Sequence, residues 1–260
     1  MSNMNRRLWT RNELLLAFNL YCKTPFGQID QKNPFIIELG ELINRSPSSV
    51  SWKLANFARL DPTIRARGLS GASHGSKGEE EIWNEFNNNW AQLGYESEIL
   101  LINLKKKGEK ISRQENFDDD IHLLKEGKER ETVIRARINQ GFFRKTILAT
   151  YSSKCCITGL DIPELLIASH IVPWSKDEVN RVNPKNGLCL NALHDKAYDR
   201  GLITIDPDFV VVISKTVNAM KNASSLNFLT KYHGKTINLP DKFVPERKFL
   251  EYHNEYVFVG

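Results

Sequence analysis

The chain has 260 residues, 41% of them hydrophobic and 26% charged. That is the balance of a water-soluble globular protein with room for one large core or two modest ones. It contains no apolar run long enough to span a bilayer, and the polar, basic stretch Met1–Arg11 lacks the apolar core of a secretory signal, so the expectation is a cytoplasmic protein with no membrane contact. The net charge of +5 suits a polyanionic partner without requiring one. The cysteines are Cys22, Cys155, Cys156 and Cys189. Two are sequence neighbours and none forms a Cys-x-x-Cys pair, which argues against both a disulfide scaffold and a structural zinc and leaves them as small buried residues.

In chain order, Thr10 with Glu13 three places on forms a capping box for a helix carrying Leu14, Leu15, Phe18 and Tyr21, broken at Pro25 and Gly27. Asn33-Pro34 opens a second helix with Ile36, Ile37, Leu39, Leu42 and Ile43. After a turn at Asn44–Pro47, Ser46 caps a third helix with Val50, Leu54 and Phe57 on one face. The junction "INRSPSSVSWKLANF" has the outline of a helix-turn-helix, with Ser48, Ser49, Trp52 and Lys53 as the face that would read a major groove. Together with "LWTRNELLLAF", the segment resembles a Myb/SANT or winged-helix three-helix module. A small bundle used for packing or dimerisation is the alternative.

Gly68–Gly78 reads as a loop, with His74 a solvated loop residue. Glu79–Leu93 returns to helix, and Ile82, Trp83, Phe86 and Trp90 form a core stripe. Leu104–Asp120, with "KKKGEK" and "DDD", is charged and poor in apolar residues. It reads as a linker, and its aspartates as a solvated tether rather than a metal site. Lys128–Tyr151 reads as one or two helices. Arg135, Arg137, Arg144 and Lys145 supply a basic face for phosphates, and Val133, Ile134, Phe143, Ile147 and Leu148 the core side. The segment after Val217 is uninformative apart from "YVFV", which reads, like "VVVIS" just before it, as a strand.

Chemistry concentrates in "CCITGLDIPELLIASHIVPWSKDEVNRVNPKNGLCLNALHDKAYDRGLITID". Leu165–Val172 reads as a strand, Pro173–Pro184 as a polar connection, Leu188–Leu190 as a short strand and Ala192–Tyr198 as a helix. Such a ββα unit presents His170 from a strand, Asn186 from a loop or strand edge, and His194 from a helix. Phosphodiester hydrolysis needs a base to activate water, and a neutral imidazole has the right pKa. It also needs a cation beside the phosphate. A carboxamide can orient the base or ligate, and a helix-borne histidine ligates a metal in a fixed direction. Trp174 reads as packing.

"RINQGFFRKTILATYSSKCCITG", "ASHIVPWS" and "NPKNGLCLNALHDKAYDRGLITI" resemble the HNH (ββα-metal) endonucleases over Thr132–Ile213, in particular a subgroup of restriction-type enzymes. The resemblance implies His170 as general base, Asn186 as the middle asparagine (Asn191 being the weaker alternative) and His194 as metal ligand. Where many relatives carry a metal-ligating residue before the base, this chain has Ser169. Asp199 is the candidate substitute, ahead of Asp195, which points to another helix face. Lys196 is a candidate phosphate contact.

The expected fold is α+β. An all-helical, helix-turn-helix-like module covers residues 1–95, a charged linker 96–127, and a ββα-metal nuclease domain with a C-terminal extension 128–260. The expected activity is hydrolysis of double-stranded DNA with Mg2+ or Mn2+, directed by sequence or base modification and carried out by a homodimer, since two antiparallel strands are to be cut. The alternatives are a nicking or anti-phage nuclease of low specificity and, because Ser169 is a poor ligand, a non-catalytic DNA-binding regulator.

Overall fold

The computed structural model describes residues 7–69, 75–108, 128–220 and 227–260. His74 and the "DDD" of the linker lie outside them. The chain divides into two compact units, Met1–Gln140 and Gly141–Gly260.

The first unit is helical. Thr10 caps α1 (Arg11–Lys23) through the capping box with Glu13, Asn33 caps α2 (Pro34–Leu42), and Ser46 caps α3 (Pro47–Leu60). These side chains satisfy backbone N–H groups that a helix start leaves open. Between α2 and α3 the chain turns at Asn44, whose φ of 53° is a left-handed conformation that asparagine tolerates. Arg45 follows and donates to the carbonyls of Arg7 and Leu8 and to Glu13. A short α4 (Pro62–Ala66) precedes α5 (Lys77–Phe86) and α6 (Trp90–Gly108). Phe18 of α1 is the hub of the core. It stacks on Phe57 at 4.8 Å and meets Trp83 at 5.4 Å.

Two features differ from expectation. The helix predicted over Glu79–Leu93 is two helices divided at Asn87–Asn89, and α6 continues to Gly108, into the stretch read as linker. Three of its charged residues are paired. Glu96 pairs with Arg11, Glu98 with Lys23, and Lys105 with Glu38 at 2.8 Å, so they bind α6 to α1 and α2. Only 109–127 of the expected linker lies outside the described residues.

The unit boundary falls within α7 (Lys128–Thr150), a single helix. The second unit continues with β1 (Leu166–His170), β2 (Gly187–Asn191) and α8 (Ala192–Asp199). The strands pair antiparallel, from Leu166 opposite Asn191 to His170 opposite Gly187. A Cβ on Gly187 would lie 2.4 Å from Ile147 and 2.8 Å from Phe143, so only glycine lets β2 approach α7 this closely. A second antiparallel pair follows, β3 (Ile203–Ile205) with β4 (Val211–Ile213), then α9 (Lys215–Asn218) and a last helix, Arg247–Tyr256. The "YVFV" segment is not a strand. Tyr256 ends that helix, and Val259 donates to the Gly201 carbonyl in an irregular tail.

The four cysteines are buried and free. Burial pushes the Cys156 thiol well up and that of Cys189 up to about 12, so both stay protonated and unreactive at neutral pH. Among the described residues no helix is long and apolar enough to cross a membrane.

Candidate active site

His170 ends β1. Its ring lies flat on Phe143, with centroids 4.1 Å apart and planes 9° from parallel, and meets the edge of Trp174 at 5.4 Å. Trp174 is therefore packing, as read from the sequence. The Nε2 of His170 lies 2.8 Å from the Arg181 carbonyl oxygen. A carbonyl only accepts, so the proton sits on Nε2 and Nδ1 keeps its lone pair. Burial pulls the imidazole below its usual range, while the Arg181 carbonyl and the Asp195 carboxylate draw it part of the way back.

Asn186 sits in a 3-10 turn, Pro184–Asn186, and is fully buried. Its Oδ1 accepts from the Val172 N–H at 2.8 Å. Its Nδ2 donates to the Val172 and Asn180 carbonyls, each at 3.3 Å, and its own carbonyl accepts from Ile171. Both ends of the carboxamide are thus occupied by backbone. The carboxamide thereby ties Val172 to Asn180, next to the Arg181 carbonyl that meets His170.

His194 lies in the first turn of α8, 3% exposed. Asn191 caps that helix. Its Oδ1 accepts from the His194 backbone N–H and lies 3.0 Å from His194 Nδ1. Asn191 thus places the ring proton on Nδ1, and Nε2 is buried with no hydrogen bond of good geometry, although the Phe228 carbonyl lies close enough to the ring to draw its pKa part of the way up. A second buried histidine gives the contrast. His253, 1% exposed, is bonded through both nitrogens, to Thr204 and to the Tyr198 carbonyl. His253 is a satisfied core residue, and His194 is not. The Ser169 hydroxyl is also buried and unpartnered.

Burial presses both imidazoles down to about 4, with the Lys231 charge adding to the effect at His194. Both groups fold neutral and would take up a proton near pH 6.5 if unfolded. Their stabilisation is thus complete above about 6.5 and is lost as pH falls from there towards 4. At pH 5 the loss is roughly 1–2 kcal/mol for each, and the Tm of this unit is expected to fall by about 5–10 °C from its value at pH 7.5. A melting temperature that stays level between pH 7.5 and 5 overturns this reading. The carboxylates held low, Glu13, Glu79 and Glu246, act only at still lower pH.

Other expected site residues are distributed differently. Asp199 is exposed and lies about 140° round α8 from His194, at about 100° per residue. It is one turn from Asp195, and its carboxyl is held above the usual range by burial and by that neighbour. Asp195, ranked behind Asp199 as a metal ligand in the sequence reading, is close enough for its charge to raise the His170 pKa. Among the described residues no three histidine, cysteine or acidic side chains converge as a ready-made metal cage. Lys196, Arg137, Arg144 and Lys145 are exposed, and Arg144 also donates to the Leu166 carbonyl at the start of β1. Arg135 faces away from Arg137. It lies about 200° round α7 from Arg137, stacked on Tyr95 at 4.3 Å and bonded to Gln92. In α3, Ser48 is exposed, Ser49 half-buried and Trp52 63% exposed. Lys53 is not free to contact DNA, because it pairs with the buried Glu79, which also bonds Asn56 and Ser76.

The sequence reading also missed Tyr232, whose edge meets the His194 ring at 5.3 Å and 79°. The signal available was the cluster of lysines and an aromatic in "KYHGK".

Two strands, a helix and two imidazoles with complementary tautomers form the unit that the comparison with known families picks out. Residues 155–206 match the model of the HNH endonuclease family. The match takes in β1, β2, α8 and β3 and leaves the helical unit outside. No curated protein matches the chain. HNH proteins are nucleases that generally use a divalent ion, and residues 155–206 are similar to that family.

Proposed function

We propose that this protein is a restriction-type DNA endonuclease, with His170 as general base, His194 as metal ligand and the helical unit as the part that finds the site. The observation that carries the reading is the pair of imidazoles on the ββα unit. Each has one nitrogen fixed by an oxygen acceptor and the other left with a lone pair.

His170 Nδ1 takes a proton from water as the water oxygen bonds to phosphorus and the bond to the 3′-oxygen breaks. The imidazolium that forms is stabilised by Asp195, and the Arg181 carbonyl keeps the ring in register. Asn186 and Asn191 are positioning residues, one for the loop and one for His194. A divalent cation fits His194, whose buried Nε2 makes no hydrogen bond of good geometry, with Mg2+ or Mn2+ the expected ions. When bound it supplies charge neutralisation at the phosphate and the leaving oxygen. Arg137, Arg144, Lys145 and Lys196 supply backbone contacts that position without specifying, and Ser48 and Trp52 present the exposed face of α3 to bases. Cutting both antiparallel strands is simplest with a homodimer.

The test is incubation of supercoiled plasmid with Mg2+ or Mn2+, with and without a chelator. Nicked and linear products are expected only with free ion. Plasmid left intact under every ion overturns the reading in favour of a non-catalytic DNA-binding protein, the alternative that Ser169 favours by offering only a hydroxyl before the base.

A further inference from the structure

We infer that Lys231 and Lys235, mounted on the ring of Tyr232, form a clamp for the phosphodiester backbone of DNA beside His194. The purpose of the clamp rests on the nuclease reading, but its existence rests on geometry and charge. The Lys231 ammonium lies 5.0 Å and that of Lys235 5.7 Å from the centroid of Tyr232, so the two stand within about 11 Å of each other. Both are exposed, and neither forms an ion pair with a carboxylate among the described residues. Two like charges gathered on one ring, with no acid between them, are disfavoured until an anion enters. The same ring closes against His194 at 5.3 Å.

The clamp is held on a fixed arm. Tyr232 ends a 3-10 turn, Thr230–Tyr232, and the chain reverses at Gly234, whose φ is +72°. The arm is tied to β4 by three hydrogen bonds. The Val211 N–H donates to the Lys235 carbonyl and the Gly234 N–H to the Val211 carbonyl, both at 2.9 Å, and the Ile213 N–H donates to His233 Nδ1 at 3.2 Å. Val210 also bridges to Thr236. A cation pair on a braced arm loses little conformational freedom when it binds, which is what a phosphate-positioning element requires.

The test uses the full chain carrying His170→Ala, so that DNA is bound and not cut, with a labelled duplex and chelator present. Affinity is read by fluorescence anisotropy across a range of salt concentrations. Each phosphate contact contributes about 0.9 to the slope of log affinity against log salt. Lys231→Gln with Lys235→Gln is expected to flatten that slope by nearly 2 and to weaken binding about tenfold or more near 0.1 M salt. The control removes the same charge from two other exposed lysines of the unit, Lys154→Gln with Lys215→Gln, and is expected to leave the slope unchanged. A clamp variant with the slope of its parent, or with that of the control, overturns the proposal. The two readings fail separately. An unchanged slope with plasmid still cut by the unsubstituted protein removes the clamp alone. A flattened slope without any cleavage removes the nuclease and leaves the clamp.

Discussion

His170→Ala is expected to slow plasmid cleavage by about 10²–10⁴-fold, the usual contribution of a positioned general base, while affinity for duplex DNA changes less than about twofold. The Nε2 proton of His170 is committed to the Arg181 carbonyl, so Nδ1 is the only ring atom that can accept a proton from water. Burial holds the imidazole below its usual range, so the basic form predominates at neutral pH. No phosphate contact is assigned to this side chain, which is why binding is expected to survive. The measurement is a time course of nicking beside anisotropy with the same duplex. Unchanged nicking removes His170 from the chemistry. Loss of nicking and binding together assigns it a structural role against Phe143 and Trp174.

Asn186→Ala is expected to destabilise the Gly141–Gly260 unit by about 4–5 kcal/mol, each buried partner left unsatisfied costing about 1–3 kcal/mol. One carboxamide serves the Val172 N–H, the Val172 carbonyl and the Asn180 carbonyl. Asn186 and Val172 are both buried, so water cannot readily replace the amide at the two Val172 groups, while Asn180 is half-buried. Asn186→Asp keeps an acceptor for Val172 but turns a carboxylate oxygen towards two carbonyls, and is expected to be no better than alanine. Chemical denaturation monitored by far-UV circular dichroism reads the effect. A loss under about 1 kcal/mol for the alanine variant contradicts the positioning role and reopens Asn186 as a group that acts on the substrate.

The parts of this fold that could be read in advance are those written in short-range chemistry. Thr10 with Glu13, Asn33 before Pro34, and Ser46 each announce a helix start by a side chain that must cap it, and each does so. The ββα order was legible because β-branched runs flank His170 and a helical period follows Asn191. What could not be read is pairing across the chain. Glu96, Glu98 and Lys105 fall in the span read as a charged linker, yet each has its counter-charge on α1 or α2. Lys53 falls on the outward face by helical period, but Glu79, distant in sequence, turns it inward. Asp195 was ranked behind Asp199 on its helix face alone, before the direction of His170 was known. Tyr232 reaches His194 across almost forty residues, from a segment after Val217 that carries no pattern of its own.

The connection between β1 and β2 is drawn closed at its neck. Val172, Asn180 and Asn186 are laced together there, and Arg181 holds the imidazole. The segment beyond the lacing, around the outward-pointing Glu178 and Val179, is tied to the same neck: Asp177 accepts from both nitrogens of Asn180, and the Arg181 side chain reaches back to the Trp174 carbonyl and to Glu178. A change of length or character at that tip is therefore felt at the carbonyl that steers the His170 ring.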